Sequence, residues 1–541
     1  MAEPVPYNLY IRFQELSSGW DAIPGWVGGT AVVAGYQSAE LCLRLIDDAL
    51  RDQRPAAFAE RRIDGFTDLL SGNLMVLGEF LATQDSPPAH AYSRSAAGAP
   101  PSGHSGYEVL FRLGPDRVRG VAWSFFEAHR GVAFRTGVEE TVAAACRRLD
   151  IPVPPRSVDK PRLDYAAVVG PAAVWGLRSD DPQGPEDHIF CTAHQITECW
   201  LHIANHCLES GTAAAGEGDW GQGARMLRMA VRAVSRASAA GQILELMDLS
   251  DYHPLRVRLR DGSGAQSQAV RELLMRIHES AAPLLKALED QGVTLLRLLS
   301  RTGGTLPMHE YLRALKAVSK SFQAFLFHHY LLVLDVLGSH MTGSLGYEVT
   351  QMIDRASQPP VPQLNQAHYD FAKYTNLRYA PLAGSLVLAN ERAAGWNPPP
   401  AAGEEDGPCP PETMARRVRD YFRCLEERDA DGWAGLFEPE TGRLYDMPGT
   451  RPFIGGARLG IFVRSMFTTF AEMRASIRST TFDGNRATVE WTICSVAYQG
   501  GEVEFSGREE FVFSTTGRIA QAVVHWDPEA VAHRLWPELT A

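Results

Sequence analysis

The run Phe190-Cys191-Thr192-Ala193-His194-Gln195-Ile196-Thr197-Glu198-Cys199-Trp200, continued by Leu201-His202-Ile203-Ala204-Asn205-His206, contains no helix breaker, and positions 190, 194, 197, 198 and 201 fall on one helical face. That face carries an aromatic ring, an imidazole, a hydroxyl and a carboxylate. A purely structural core helix seldom gathers such a set, because each buried polar group needs a partner. The plain alternative is a single satisfied core histidine. A metal site is a third reading, since His194, Glu198, His202 and His206 recur every four residues. Steps of four drift by about 40° each, so the end members diverge by about 120° and do not all meet one ion.

Three further groups lie downstream. Tyr252 and Arg256 share a face if their segment is helical, and a planar guanidinium suits a bidentate grip on a carboxylate; a surface arginine is the bland alternative. In Phe325-Leu326-Phe327-His328-His329-Tyr330-Leu331-Leu332-Val333-Leu334-Asp335-Val336, positions 325, 329, 332, 333 and 336 form an apolar stripe with His329 inside it, whereas His328 shares its side with Asp335. An imidazole in an apolar groove is what an axial haem ligand requires. Thr342-Gly343-Ser344-Leu345-Gly346 then forms a small-residue loop.

The elements that must position these groups read as mostly helical. Residues 1–150 carry periodic segments near 36–50, 58–82, 118–130 and 137–149, interrupted by a Pro-, Ser-, Ala- and Gly-rich loop at 84–106. A proline-rich connector, Ile151 to Arg156, marks a boundary. Residues 158–395 form a second helical domain, with helices expected at 161–177, 186–209, 220–247, 266–300, 308–338 and 344–355 and a less regular tail. After a linker at 396–411, residues 412–541 change texture: helical 412–437 and 455–469 precede strand-like runs at 474–482, 486–498, 502–515 and 518–526, with Asp483-Gly484, Gly500-Gly501 and Thr516-Gly517 as turns. The fold class is mainly α, closed by a small α+β domain with a curved sheet.

Composition narrows the partners. The chain has 541 residues, and its 52 basic against 64 acidic residues give a net charge of -12, which argues against a sequence-independent grip on nucleic acid or an anionic membrane. The N-terminus lacks the pattern of a signal peptide, and the longest apolar helix carries His328, His329 and Asp335, so a cytoplasmic location is expected. Eight scattered cysteines without a CxxC pair fit reduced thiols.

The chain also repeats itself. Tyr36-Gln37-Ser38-Ala39-Glu40-Leu41-Cys42-Leu43 lines up with His194-Gln195-Ile196-Thr197-Glu198-Cys199-Trp200-Leu201 at an offset of 158, and the same offset carries Tyr7 onto Tyr165. On this reading, residues 1–150 are a degenerate copy of the second domain, with Tyr36 in place of His194.

The ordered set of HQITECW preceded by Phe190, Tyr252 and Arg256 before Ser263-Gly264-Ala265-Gln266-Ser267, and His329 nine residues before Gly338 and its following loop resembles the tryptophan 2,3-dioxygenase family over about 161–395. The resemblance implies an all-α, haem b-dependent enzyme that adds dioxygen to the indole ring. By it, His329 would be the proximal iron ligand and His194 the distal histidine. Phe190 would lie against the substrate ring, Tyr252 and Arg256 would hold its carboxylate, and Thr342 and Ser344 would stand in the loop that closes over its ammonium. Tyr165 matches the first tyrosine of the family's Tyr-x-x-Tyr motif, and Val168 replaces the second. Ala265 stands where the family usually has phenylalanine, and Thr342-Gly343-Ser344-Leu345 replaces Gly-Thr-Gly-Gly. In the family this tyrosine motif completes a neighbouring subunit's pocket. Tyr7 and Tyr10 keep both tyrosines, so the first block is expected to act as a built-in pseudo-subunit.

Residues 412–541 resemble the SnoaL-like, ketosteroid-isomerase-like cone, in which Asp446, His525 and Asp527 are candidate acid/base groups at the mouth. The expected function is a haem-dependent oxygenase acting on L-tryptophan or a related aromatic amino acid with O2, in secondary metabolism and as a homo-oligomer, a dimer. Two alternatives stay open: a haem monooxygenase that hydroxylates an aromatic ring with one oxygen atom from O2 or peroxide, and a non-enzymatic haem-binding sensor.

Overall fold

The computed structural model describes residues 6–23, 25–26, 28–54, 56–84, 105–130, 133–134, 137–153, 162–178, 185–248, 255, 264–301, 303–338, 348–393, 407–498 and 501–539. They divide into two compact units, Met1–Gly292 with Gly304–Leu364, and Val293–Gly303 with Asn365–Ala541.

The first unit is helical. Its elements are α1 (Pro6–Tyr10), α2 (Phe13–Ser18), α3 (Gly29–Arg51), α4 (Ala56–Leu81), α5 (Pro115–Ala128), α6 (Val138–Arg148), α7 (Tyr165–Val169), α8 (Pro171–Gly176), α9 (Pro185–Gly216), α10 (Trp220–Gln242), α11 (Gln268–Glu279), α12 (Ala282–Asp290), α14 (Leu306–Leu337) and α15 (Met352–Ser357). A two-residue parallel pair joins β1 (Ala133–Phe134) to β2 (Arg162–Leu163). Helix α3 packs on α4 and α9, α9 on α10, and α10 on α14. Close approach of α9 and α10 depends on two glycines: a Cβ on Gly211 would lie 3.1 Å from the Gly223 carbonyl oxygen, and one on Gly223 would lie 3.0 Å from that of Gly211.

The helix expected over 161–177 is instead two short ones, because Gly170 adopts a left-handed φ of +61° and Pro171 starts the next helix. The 266–300 helix is likewise divided, at Ser280-Ala281 and at Gly292, whose φ is +63°. The tail toward 395 is the long helix α16 (Pro362–Ala393), with Pro381 and Gly384 in its sequence, residues that by propensity speak against a helix. Among the described residues no helix is long and apolar enough to cross a membrane.

The second unit contains α13 (Leu295–Leu299), α16, α17 (Pro411–Glu427), α18 (Ala430–Ala434), α19 (Gly456–Phe467) and α20 (Pro528–Leu535). Its strands are β3 (Arg443–Tyr445), β4 (Phe453–Ile454), β5 (Phe470–Asp483), β6 (Arg486–Ala497), β7 (Glu502–Phe513) and β8 (Ile519–His525), in the sheet order β4-β3-β8-β7-β6-β5. Within this sheet the β3–β8 pair is parallel, and the β3–β4, β5–β6, β6–β7 and β7–β8 pairs are antiparallel. The β5–β6 turn has Gly484 at φ +56° and the β7–β8 turn Gly517 at φ +77°, as the Asp-Gly and Thr-Gly dipeptides predict. The concave core gathers Tyr421, Trp433, Phe437, Trp491 and Phe511, and Leu296 packs with Tyr374 and Trp536 in a smaller cluster.

The start of α9 is fixed by a buried ion pair. Arg62 on α4 donates to Glu186 at 2.6 and 2.8 Å and to the Leu246 carbonyl at 3.1 Å, while Arg54 adds a 2.6 Å bond to Glu186. Removing Arg62 leaves a buried carboxylate with less compensation. Arg62→Ala is expected to cost about 3 kcal/mol, the low end for breaking a buried pair because Arg54 remains. Chemical denaturation of the full chain measures this.

Candidate functional site

Helix α9 holds His194 one turn after Phe190. The Nδ1–H of His194 donates to the Phe190 carbonyl at 2.8 Å, which leaves Nε2 as the bare nitrogen. Burial pushes the His194 pKa down to about 4, helped by nearby His329, so the ring is neutral at pH 7. Burial also lowers His329, on α14. The two rings converge beside Gly264: a Cβ there would lie 3.7 Å from His194 Nε2 and 3.9 Å from His329 Cε1.

These groups border a cavity of about 850 Å³ lined by Tyr7, His194, Glu198, Gly264, Ser267 and His329, with Phe322, Phe325, Leu326 and Leu332 from α14 giving it an apolar wall. Its contents come from both halves of the unit. Tyr7 on α1 packs edge-on to His194 with ring centroids 5.6 Å apart, and its hydroxyl donates to Glu198 at 2.9 Å. Its backbone N–H donates to Gln266 at 3.2 Å. Tyr10 meets Phe190 edge-on at 5.7 Å, and Phe190 lies 4.3 Å from the His194 ring. Glu198 is buried and its pKa rises to about 7, chiefly through desolvation, although Ser267 and Tyr7 both donate to it.

Tyr165 lies elsewhere. Its hydroxyl donates to Glu40 at 2.7 Å, and its ring stands edge-on to Tyr36 at 6.1 Å. Tyr252, Arg256, Thr342 and Ser344 fall outside the described residues. His328 bonds Ser238 at 2.8 Å. The four-residue series does not share a ligand: His202 stacks on Trp20 at 4.3 Å and bonds Thr30 at 3.0 Å, and His206 meets the edge of Phe80. Among the described residues no group of three or more His, Cys, Asp or Glu is placed to hold a metal ion.

Sequence reasoning missed Arg44. Buried on α3, it donates to Thr192 at 2.8 Å and Gln195 at 2.7 Å on α9, and to the Val174 and Leu177 carbonyls at 2.8 and 3.1 Å. A charged residue at full helical depth in an apolar segment was the available signal, because such a group needs several acceptors.

The imidazole of His329, beside the apolar wall of the cavity and kept neutral by burial, is a nitrogen donor of the kind haem iron accepts.

In the second unit, the expected acid/base groups have different surroundings. Asp527 caps α20, accepting from the Ala530 N–H at 3.0 Å, and His525 faces Glu510 at 3.4 Å. Glu509 is buried and Asp446, close to it, is half-buried. Glu509 accepts the Tyr421 hydroxyl at 2.6 Å, and the Asp446 carbonyl accepts the Trp526 indole N–H at 3.0 Å.

Comparison with known proteins gives a class for the second unit and a partial similarity besides. Residues 418–522 match the SnoaL-like domain family, so the second unit carries a SnoaL-like domain. An NTF2-like protein of unknown function from Burkholderia pseudomallei is 21% identical and covers 24% of this chain and 98% of its own, with a TM-score of 0.21. The chain is also similar to tryptophan 2,3-dioxygenases. That of Bradyrhizobium diazoefficiens is 26% identical over 162 residues, 27% of this chain and 58% of that protein. Those of Pseudomonas aeruginosa and Ruegeria pomeroyi are 28% identical over 21% and 25% of this chain, and over 44% and 56% of their own lengths. The chain thus spans about half the length of the curated relatives it matches.

Burial pushes Glu509 up to about 8, with nearby Asp446 adding to the effect. The native state therefore keeps a proton that the unfolded chain releases above the ordinary carboxylate value. This group's stabilising contribution is complete at acid pH and is lost as pH rises toward 8. Urea midpoints at pH 5 and pH 8.5 should show wild type losing ground to Glu509→Gln across that interval; parallel pH profiles would contradict it.

Proposed function

We propose that the chain is a haem-dependent oxygenase of L-tryptophan or a closely related aromatic amino acid, with the reaction at the cavity between α9 and α14. The observation that carries this is the convergence of His194 and His329 on Gly264, inside an apolar cavity walled by the rings of Tyr7 and Phe322. The partial similarity to tryptophan 2,3-dioxygenases supports the same reading.

His329 would hold the haem iron, and Arg271 and Arg355, which border the cavity, provide positive charge for its propionates. When bound, haem supplies the activation of dioxygen. The chain's own residues do the rest. The Phe190 carbonyl fixes the His194 tautomer, so Nε2 is an acceptor able to take an indole N–H or its proton. The low pKa of His194 keeps that nitrogen bare at neutral pH. Tyr10 braces Phe190, and Tyr7 covers His194, so the first block supplies part of the wall in the manner of a pseudo-subunit. Arg256 with Tyr252 would take the substrate carboxylate, and Thr342 and Ser344 its ammonium, on the resemblance of their motifs.

His329→Ala should abolish haem retention, while His328→Ala, whose ring bonds Ser238, keeps it; the pyridine haemochrome assay reads both. Tryptophan should perturb the haem absorption of wild type, and mass analysis of product formed under labelled dioxygen should find two heavy atoms. One heavy atom would establish the hydroxylase, and no response to any aromatic amino acid would end both readings. Deleting residues 1–20 should weaken tryptophan binding about tenfold, a loss of ~1.4 kcal/mol, with haem content retained.

A further inference from the structure

The contacts of the first unit are reciprocal. Tyr7 donates to Glu198, and Tyr165 donates to Glu40. Gln195 donates to the Ile11 carbonyl at 2.9 Å, and Gln37 to that of Val169 at 3.2 Å. Tyr7 stands edge-on to His194 at 75°, and Tyr165 to Tyr36 at 74°. Each of these pairs is related by the 158-residue offset found in the sequence, so each half inserts a tyrosine arm into the other.

The two destinations differ. Glu40 accepts from the Tyr165 hydroxyl, from the Trp175 indole N–H at 2.8 Å and from the Gly106 amide at 2.9 Å. Tyr36 stacks on His129 at 5.6 Å, and Tyr107 packs on Phe125 at 5.1 Å. A Cβ on Gly106, which the offset relates to Gly264, would come within 2.6 Å of Trp175. Rings fill this place. Glu198, by contrast, lines the open cavity and is held by Tyr7 and Ser267.

We propose that Glu198 is a positioning residue: it receives the Tyr7 hydroxyl and thereby sets the Tyr7 ring as the wall of the substrate space beside His194, whereas its counterpart Glu40 serves only packing in a sealed twin pocket. The proposal rests on the oxygenase reading for the identity of the ligand but not for the latch itself. Loss of the acceptor frees the arm without touching His329, and an amide at 198 still offers a carbonyl to Tyr7. Burial raises the Glu198 pKa, and the hydrogen bonds it accepts from Ser267 and Tyr7 pull it back down.

The test uses the full chain with haem added, in Glu198→Ala, Glu198→Gln and Glu40→Gln variants. Wild type should take up one haem per chain, not two. Glu198→Ala should raise the tryptophan dissociation constant, read from the haem absorption change, about tenfold at unchanged haem content. Glu198→Gln should stay within about threefold of wild type, and Glu40→Gln should leave the constant unchanged while lowering the melting temperature. Hydrogen exchange of residues 6–18 should quicken in Glu198→Ala and return in Glu198→Gln. Unaltered exchange of the arm, or equal effects of the Glu198 and Glu40 variants on tryptophan binding, would overturn the latch. Failure of wild type to bind haem or respond to tryptophan would overturn the oxygenase reading alone, because arm exchange still decides the latch.

Discussion

The first unit depends on polar groups buried between α3 and α9. Gln37, Glu40 and Arg44 on one helix and Thr192, Gln195 and Glu198 on the other have little or no access to water. Each demands a partner, and a lost partner leaves the full desolvation cost of a polar group uncompensated. The partners are at fixed heights: arm carbonyls and hydroxyls for the amides and carboxylates, Thr192 and Gln195 for the Arg44 guanidinium. An apolar interface of the same area would tolerate sliding. This one does not, and the register it imposes carries His194 to Gly264 and His329.

Much of this was readable beforehand, and the reason is periodicity. The polar stripe from Phe190 to Leu201 and the apolar stripe around His329 are long helical patterns, and α9 and α14 follow them. The alternation of the last strands and their Asp-Gly and Thr-Gly turns likewise located β5 to β8. The repeated tyrosine, glutamine and glutamate positions also stood in the sequence. The crossing of Tyr7 and Tyr10 into the second half was expected from the sequence; the return crossing of Tyr165 to Glu40 was not, because the direction in which an arm crosses is set by packing at long range. Arg44 went unnoticed for a related reason: a charge within an amphipathic helix looks like its solvated face until the neighbours that bury it are known. The long α16 was obscured by Pro381 and Gly384, where tertiary context overrides propensity.

The SnoaL-like domain shows the same division. The cone and its curved sheet follow from strand alternation and Asp446 stood among the expected acid/base groups, but Glu509 did not announce itself. Asp527 proves to be a helix cap, a common use of aspartate. Glu509 sits inside because it alternates with Phe511 and Phe505 on β7, on the face that the core covers. Its Tyr421 partner comes from α17, far away in sequence.

The arm that carries Tyr7 belongs to the same chain as Glu198, and this has a kinetic and thermodynamic meaning. Their meeting is unimolecular, at an effective concentration set by the intervening chain rather than by how much protein is present. A wall lent by a separate subunit is lost on dilution, and ligand affinity then depends on assembly. Here the wall travels with the pocket. Diluting the protein leaves the encounter between the arm and Glu198 unchanged.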